Sequence, residues 1–183
     1  MSPENNRKGS RIAYRISQFL SGLRSSPPTD DELQPARSVL TEQQMDLFLQ
    51  LSPFEQRHSL RVQHALINQG ETHPDLMAAA LLHDIGKIRH PLHLWERVGI
   101  VLARELAPKK VNTWGCGEPK GWRRAFVIYN KHPKWGAELV SQVGASPLLS
   151  TLIQKHEKIE STEGLNSQEI GLVKLLRQAD DWN

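Results

Sequence analysis

Residues 76–82 read Leu-Met-Ala-Ala-Ala-Leu-Leu, a run with no polar face, and it ends directly in His83 and Asp84. A helix that is apolar all round has to be buried on every side, so this segment predicts an element through the centre of its domain. The pair that follows is drawn below the surface with it. A buried imidazole and carboxylate are costly unless something compensates both, and whatever fold the chain adopts must supply that compensation.

The other strong signals are helical. Thr41 with Gln44 and Ser52 with Glu55 have capping-box spacing, and Pro53 suits a first helical position, which predicts helices starting near 42 and 53, the second closed by Gly70. Further helices are predicted at about 74–85, 92–106, 121–130, 134–143, 147–157 and 168–182, with Ser146-Pro147 opening one and Ser167 capping the last. Alternating strand patterns, hairpin turns, repeats and glycine-rich phosphate loops are missing. The expected fold is all-α, a compact helical bundle over 41–183 preceded by an extension over 1–40. In that extension Ile12, Ile16, Phe19, Leu20 and Leu23 recur at helical spacing and predict an amphipathic helix within 11–24. It suits packing against its own domain or a partner subunit, or weak contact with an acidic membrane surface. Residues 25–35, Ser-Ser-Pro-Pro-Thr-Asp-Asp-Glu-Leu-Gln-Pro, read as a linker.

Composition narrows the chemistry. Cys116 is the one cysteine in 183 residues, which excludes a disulfide framework and a cysteine zinc site and suits a reducing compartment; it reads as a loop thiol. No apolar run reaches the length of a transmembrane helix and the N-terminus lacks a signal-peptide core, so the expected location is the cytoplasm. Between 87 and 134 eleven basic residues face three acids, leaving a net +8 on that stretch. Such a surface favours anionic partners, phosphorylated metabolites or nucleic acid, where it does not simply solvate the domain.

Helical faces sort the polar candidates. His58 shares a stripe with Phe54, Val62, Ala65 and Leu66, whereas His64 is rotated away. Leu148, Leu149, Leu152 and Ile153 lie on the face of His156, and Val173 and Leu176 lie beneath Asp180, while Asp181 follows Lys174 and Arg177 on the polar side. A lone core histidine is ordinarily just hydrogen-bonded. Several imidazoles and carboxylates on converging core faces are better explained by a metal centre, whose cation compensates the buried charge.

At this point the chain resembles the HD-domain metal-dependent phosphohydrolases, whose pattern is a His, an adjacent His-Asp and a distant Asp. Here these fall on His58 in QRHSLRVQHAL, His83-Asp84 in LLHDIGK and Asp180 in LLRQADD. KHPKWGAELV and LIQKHE resemble the two extra histidine motifs of the branches that hold two metals, which adds His132 and His156. KHEKIESTEGL resembles the region where the HD-GYP cyclic-dinucleotide phosphodiesterases carry paired histidines and Gly-Tyr-Pro, but Lys155 precedes His156 and no Tyr-Pro follows. The same set resembles HD enzymes that split dinucleoside polyphosphates.

The resemblance implies a phosphohydrolase cleaving a phosphoester or phosphoanhydride of a nucleotide or dinucleotide by a metal-activated hydroxide. Asp84 would bridge two divalent transition metals, iron or manganese by resemblance and cobalt, nickel or zinc by ligand type, with His58, His83 and Asp180 on one and His132 and His156 on the other. Gly86 is expected to end the central helix in a left-handed turn, leaving Lys87 at the rim to act with Asp84 in catalysis. His132, preceding Pro133, is expected to be extended at a helix entry. Lys87, Arg89, Arg97, Arg123 and Arg124 are candidate contacts to substrate phosphates. His73, His90 and His93 read as non-ligands, although the segment around His90 could fold over the site, and Trp95, Trp114, Trp122 and Trp135 read as packing residues before base-stacking ones. Two alternatives remain: a mononuclear nucleotidase using His58, His83, Asp84 and Asp180, and a non-catalytic nucleotide-sensing module.

Overall fold

The computed structural model describes residues 26–157 and 164–182, so the amphipathic helix expected within 11–24 lies outside the described residues. Among those described, the elements are α1 (Asp30–Arg37), α2 (Glu42–Leu49), α3 (Pro53–Asn68), α4 (Pro74–Leu82), a 3-10 turn (Ile85–Arg89), α5 (Leu94–Leu106), α6 (Pro108–Trp114), a 3-10 turn (Gly121–Arg123), α7 (Arg124–Gln142), α8 (Pro147–Lys155) and α9 (Ser167–Trp182). No strand occurs among them, and the fold is all-α. No helix is long and apolar enough to cross a membrane among the described residues.

The chain divides into two compact units. The larger, Ser26–Arg89 with His132–Asn183, is built round α4. Every residue from Leu76 to Leu82 is buried, as an all-round apolar helix requires, and α4 packs against α2, α3, α8 and α9. Ala79 and Ala80 are small enough to let its neighbours approach closely, while Leu66, Leu81, Leu152 and Leu176 fill the space between. Each fully buried leucine contributes about 1.5–3 kcal/mol. Both expected capping boxes form, Thr41 with Gln44 and Ser52 with Glu55, and Gly70 follows α3 at φ +85, a conformation that favours glycine.

Four local expectations are corrected. Residues 30–37 form a helix where a linker was expected, because Thr29 and Glu32 make the same reciprocal cap and Leu33 and Ala36 join the core. The helices expected at 121–130 and 134–143 are one helix, α7, with Pro133 inside it. Proline removes one helical hydrogen bond, and tertiary contacts carry the chain through, so His132 sits on a helical face and is not extended. Asn166 caps α9 in place of Ser167, accepting from the Glu169 N–H at 2.9 Å while Glu169 accepts the Asn166 N–H at 2.8 Å.

The fourth correction concerns Gly86, which is not left-handed. Its backbone lies directly against α7: a Cβ there would overlap the His132 carbonyl oxygen and stand 2.7 Å from the Gly136 nitrogen. Gly136 is itself tight, with Ile153 3.0 Å and Ile85 3.3 Å from the place of its missing side chain. Two glycines thus let the turn after α4 touch α7.

The smaller unit includes His90–Lys131. Ile100, Val111, Ala125 and Phe126 form its core, with Trp114 packed against it. Glu96 is buried but compensated, since both its oxygens accept from Arg124 at 2.6 Å and one also accepts the His93 N–H at 2.7 Å. Trp114 packs as expected, edge-on to Trp122, whereas Trp95 and Trp122 are 66% and 64% exposed.

The close approach at Gly86 gives a direct expectation. Gly86→Ala forces a methyl group into a backbone carbonyl and should destabilise by about 3 kcal/mol or more. Gly171→Ala, in open space on α9, should stabilise by about 0.5–1 kcal/mol. Urea unfolding followed by circular dichroism measures both.

Candidate metal centre

Helix α4 delivers His83 at its C-cap, fully buried, and Asp84 next to it. His58 comes from the middle of α3, His132 from α7, His156 from the C-cap of α8 and Asp180 from the last turn of α9. All six belong to the larger unit, and the structure brings them together. The imidazoles form a chain, with ring centroids 5.3 Å apart from His58 to His83, 5.1 Å from His83 to His156 and 5.2 Å from His156 to His132.

The histidine tautomers follow from simple accounting. His83 Nδ1 lies 3.0 Å from the Ala80 carbonyl oxygen, and His156 Nδ1 lies 2.7 Å from that of Ile153. A carbonyl only accepts, so each Nδ1 carries a hydrogen, and in the neutral ring Nε2 is left as a bare lone pair. Backbone carbonyls orient metal-ligating imidazoles in this way. His156 is held neutral, its pKa pushed down to about 4 by burial and by the charges of His83 and His132.

His83 has an unanswered ring nitrogen. Its Nε2 is buried without a hydrogen bond, 3.7 Å from Asp84 Oδ2 and 3.5 Å from Asp180 Oδ1. Burial alone would lower its pKa, but Asp84 and then Asp180 outweigh it and hold the ring up at about 9. A proton therefore answers the charge, yet at these distances it makes no good hydrogen bond. Two ligand atoms bound to one cation at about 2.0–2.2 Å each stand at comparable separations, so the residues fit a divalent metal.

Asp84 divides its oxygens. Oδ1 lies 3.3 Å from His132 Nε2, and Oδ2 accepts from Lys87 Nζ at 2.6 Å. Burial works against its charge, and Lys87, His83 and His132 together hold its pKa well below the usual carboxylate range. Asp180 is likewise held well down against burial, by His83 and by His58, whose Nε2 donates to Oδ1 at 2.8 Å. His132 Nε2 also faces His156 Nε2 at 3.3 Å.

Among the described residues, three groups have ligand atoms within 4.8 Å of one another: His58, His83 and Asp84; Asp84, His132 and His156; and His156, Glu157 and Asp180. Asp84 is common to the first two. Glu157 escaped the sequence reading, although it directly follows His156, because its approach to Asp180 depends on how α8 and α9 pack.

The other candidate residues are placed as follows. Lys87 is in the centre, paired with Asp84. Arg89 pairs with Glu138 at 2.7 Å. Arg97, Arg123 and Arg124 belong to the smaller unit, where Arg97 reaches the Leu92 carbonyl, Arg123 donates to the Thr113 carbonyl at 2.8 Å and Arg124 holds Glu96.

The family model described as HD domain matches residues 56–181, more than two-thirds of the chain. No curated protein and no solved structure matches it. That stretch contains His58, His83-Asp84, His132, His156 and Asp180, and the chain belongs to the HD domain family, whose members are generally metal-dependent hydrolases.

Proposed function

We propose that the protein is a binuclear metal-dependent phosphohydrolase that cleaves a phosphoester or phosphoanhydride bond of a nucleotide or dinucleotide. The observation that carries this reading is the orphaned Nε2 of His83 between two carboxylates, beside a second pair of imidazoles that shares Asp84. His58, His83, Asp84 and Asp180 would hold one cation, and Asp84, His132 and His156 the other. Divalent cations bound there would lower the pKa of water towards neutrality and offset charge on a phosphate. Iron or manganese fits the mixed imidazole and carboxylate donors, as do cobalt, nickel and zinc.

The chain's own groups supply the rest. The carbonyls of Ala80 and Ile153 hold one hydrogen of each ring on Nδ1, so Nε2 of His156, and Nε2 of His83 once its proton is displaced, offers a lone pair without rearrangement. Asp84, ionised through its neighbours, offers one oxygen to each ligand group. Lys87 balances Asp84, and substrate phosphate oxygens would compete for its ammonium group as charge accumulates in the transition state. A mononuclear nucleotidase would leave His132 and His156 without a ligand role, and the facing nitrogens of that pair favour the binuclear reading.

Elemental analysis of protein purified without chelator should find close to two transition metals per chain, and His156→Ala should reduce this to one. Protein that stays folded but binds no metal on reconstitution overturns the reading. With nucleotide and dinucleotide substrates, Lys87→Met should lower kcat by about 10²–10³-fold, as measured in steady-state assays.

The raised pKa of His83 sets a pH dependence for the metal-free protein. Between its ordinary value of 6.5 and about 9 the folded chain keeps a proton that the unfolded chain has lost. Stability should therefore fall as pH rises through that window, by on the order of 3 kcal/mol. A cation must displace the same proton, so apparent metal affinity should rise over the same range. Urea titrations and metal titrations at stepped pH check the two signs.

A further inference from the structure

We propose that Glu157 is a further metal ligand of this centre, and that with His156 and Asp180 it forms a second seat for the cation that His132 and Asp84 otherwise hold. The proposal rests on the binuclear reading above. Its geometric basis is that a Glu157 carboxylate oxygen and ligand atoms of His156 and Asp180 all lie within 4.8 Å of one another. Glu157 is half-buried and stands just beyond the last residue of α8, next to a histidine whose backbone contact already fixes its ring.

The lone-pair count then decides how many cations fit. Nδ1 of His156 spends its hydrogen on the Ile153 carbonyl, so only Nε2 can bind a metal. One imidazole nitrogen binds one cation, whereas a carboxylate can bridge two. The group with His132 and the group with Glu157 both need His156, so they cannot be filled at once. The group of His58, His83 and Asp84 does not use His156, and Asp180, shared between the first cation and the seat beside Glu157, is a carboxylate that can bridge the two. Three overlapping groups therefore hold two cations, and the second cation has alternative seats on either side of His156.

The two seats differ in donor chemistry. The seat beside His132 offers two imidazoles and one carboxylate, which suits borderline cations such as cobalt or zinc. The seat beside Glu157 offers two carboxylates and one imidazole, which suits harder cations such as manganese. The second cation should accordingly settle towards Glu157 when it is manganese and towards His132 when it is cobalt.

Calorimetric titration of the metal-free full chain with Mn²⁺ and with Co²⁺ tests this. Glu157→Gln, which keeps the shape and removes the charge, should weaken the second Mn²⁺ by about 10–100-fold and the second Co²⁺ far less. His132→Ala should show the reverse pattern, and His156→Ala should lose the second ion with both metals. If Glu157→Gln leaves second-ion affinity within about twofold of wild type for both metals while His156→Ala abolishes it, Glu157 is not a ligand and the binuclear reading survives. If Glu157→Gln weakens the first and second ions alike and lowers the melting temperature of the metal-free protein, its role is structural and the proposal fails. Wild-type protein that takes up one ion of either metal overturns the binuclear reading itself.

Discussion

An ionised aspartate lies at the end of the most apolar helix among the described residues, and the arrangement of the larger unit follows from it. Asp84 is almost fully buried, and its charge is kept by Lys87, His83 and His132 against the pull of burial. An uncompensated carboxylate in such a place would protonate or leave the core. Each compensating group comes from a different part of the chain: His83 from α4 itself, Lys87 from the turn after it, His132 from α7. Binding one charge thus ties the central helix to its surroundings.

Packing makes that electrostatic arrangement possible. Gly86 and Gly136 remove the two side chains that would keep the turn after α4 away from α7, and the contact places the His132 imidazole against Asp84. Ser59, by contrast, has a buried hydroxyl without a partner, and we find no physical account of it in the structure. At the candidate centre the Nε2 of His83 is left without a hydrogen bond between two carboxylates. That distinguishes the candidate cation site from a polar core that is merely self-satisfied.

Glu96 in the smaller unit is a buried charge without any such gap. Glu96 is as deeply buried as His83 and Asp84, yet both its oxygens are taken by one guanidinium and a backbone N–H. A closed ion pair of this kind holds a fold together but offers no coordination sites. Comparing the two units shows that burial of charge alone is no mark of function. What marks the centre is acceptors and lone pairs facing one another.

The sequence by itself determined the helical class, the central position of 76–82, and the inward faces of His58, His156 and Asp180. These depend on local periodicity and capping, which neighbouring residues encode. It misread 30–37, where Pro and Ser masked the capping signal Thr29-x-x-Glu32, and it broke α7 at Pro133, because a proline's local penalty is visible in sequence while the contacts that outweigh it are not. Only the tertiary structure decided that Gly86 is needed for close approach to α7, that Lys87 pairs with Asp84, and that Glu157 comes within reach of Asp180. The Lys87–Asp84 pair spans only three residues but depends on the burial of Asp84, and the other two are distances between segments far apart along the chain. Such distances are set by how helices pack, and packing is a property of the whole core that no local stretch contains.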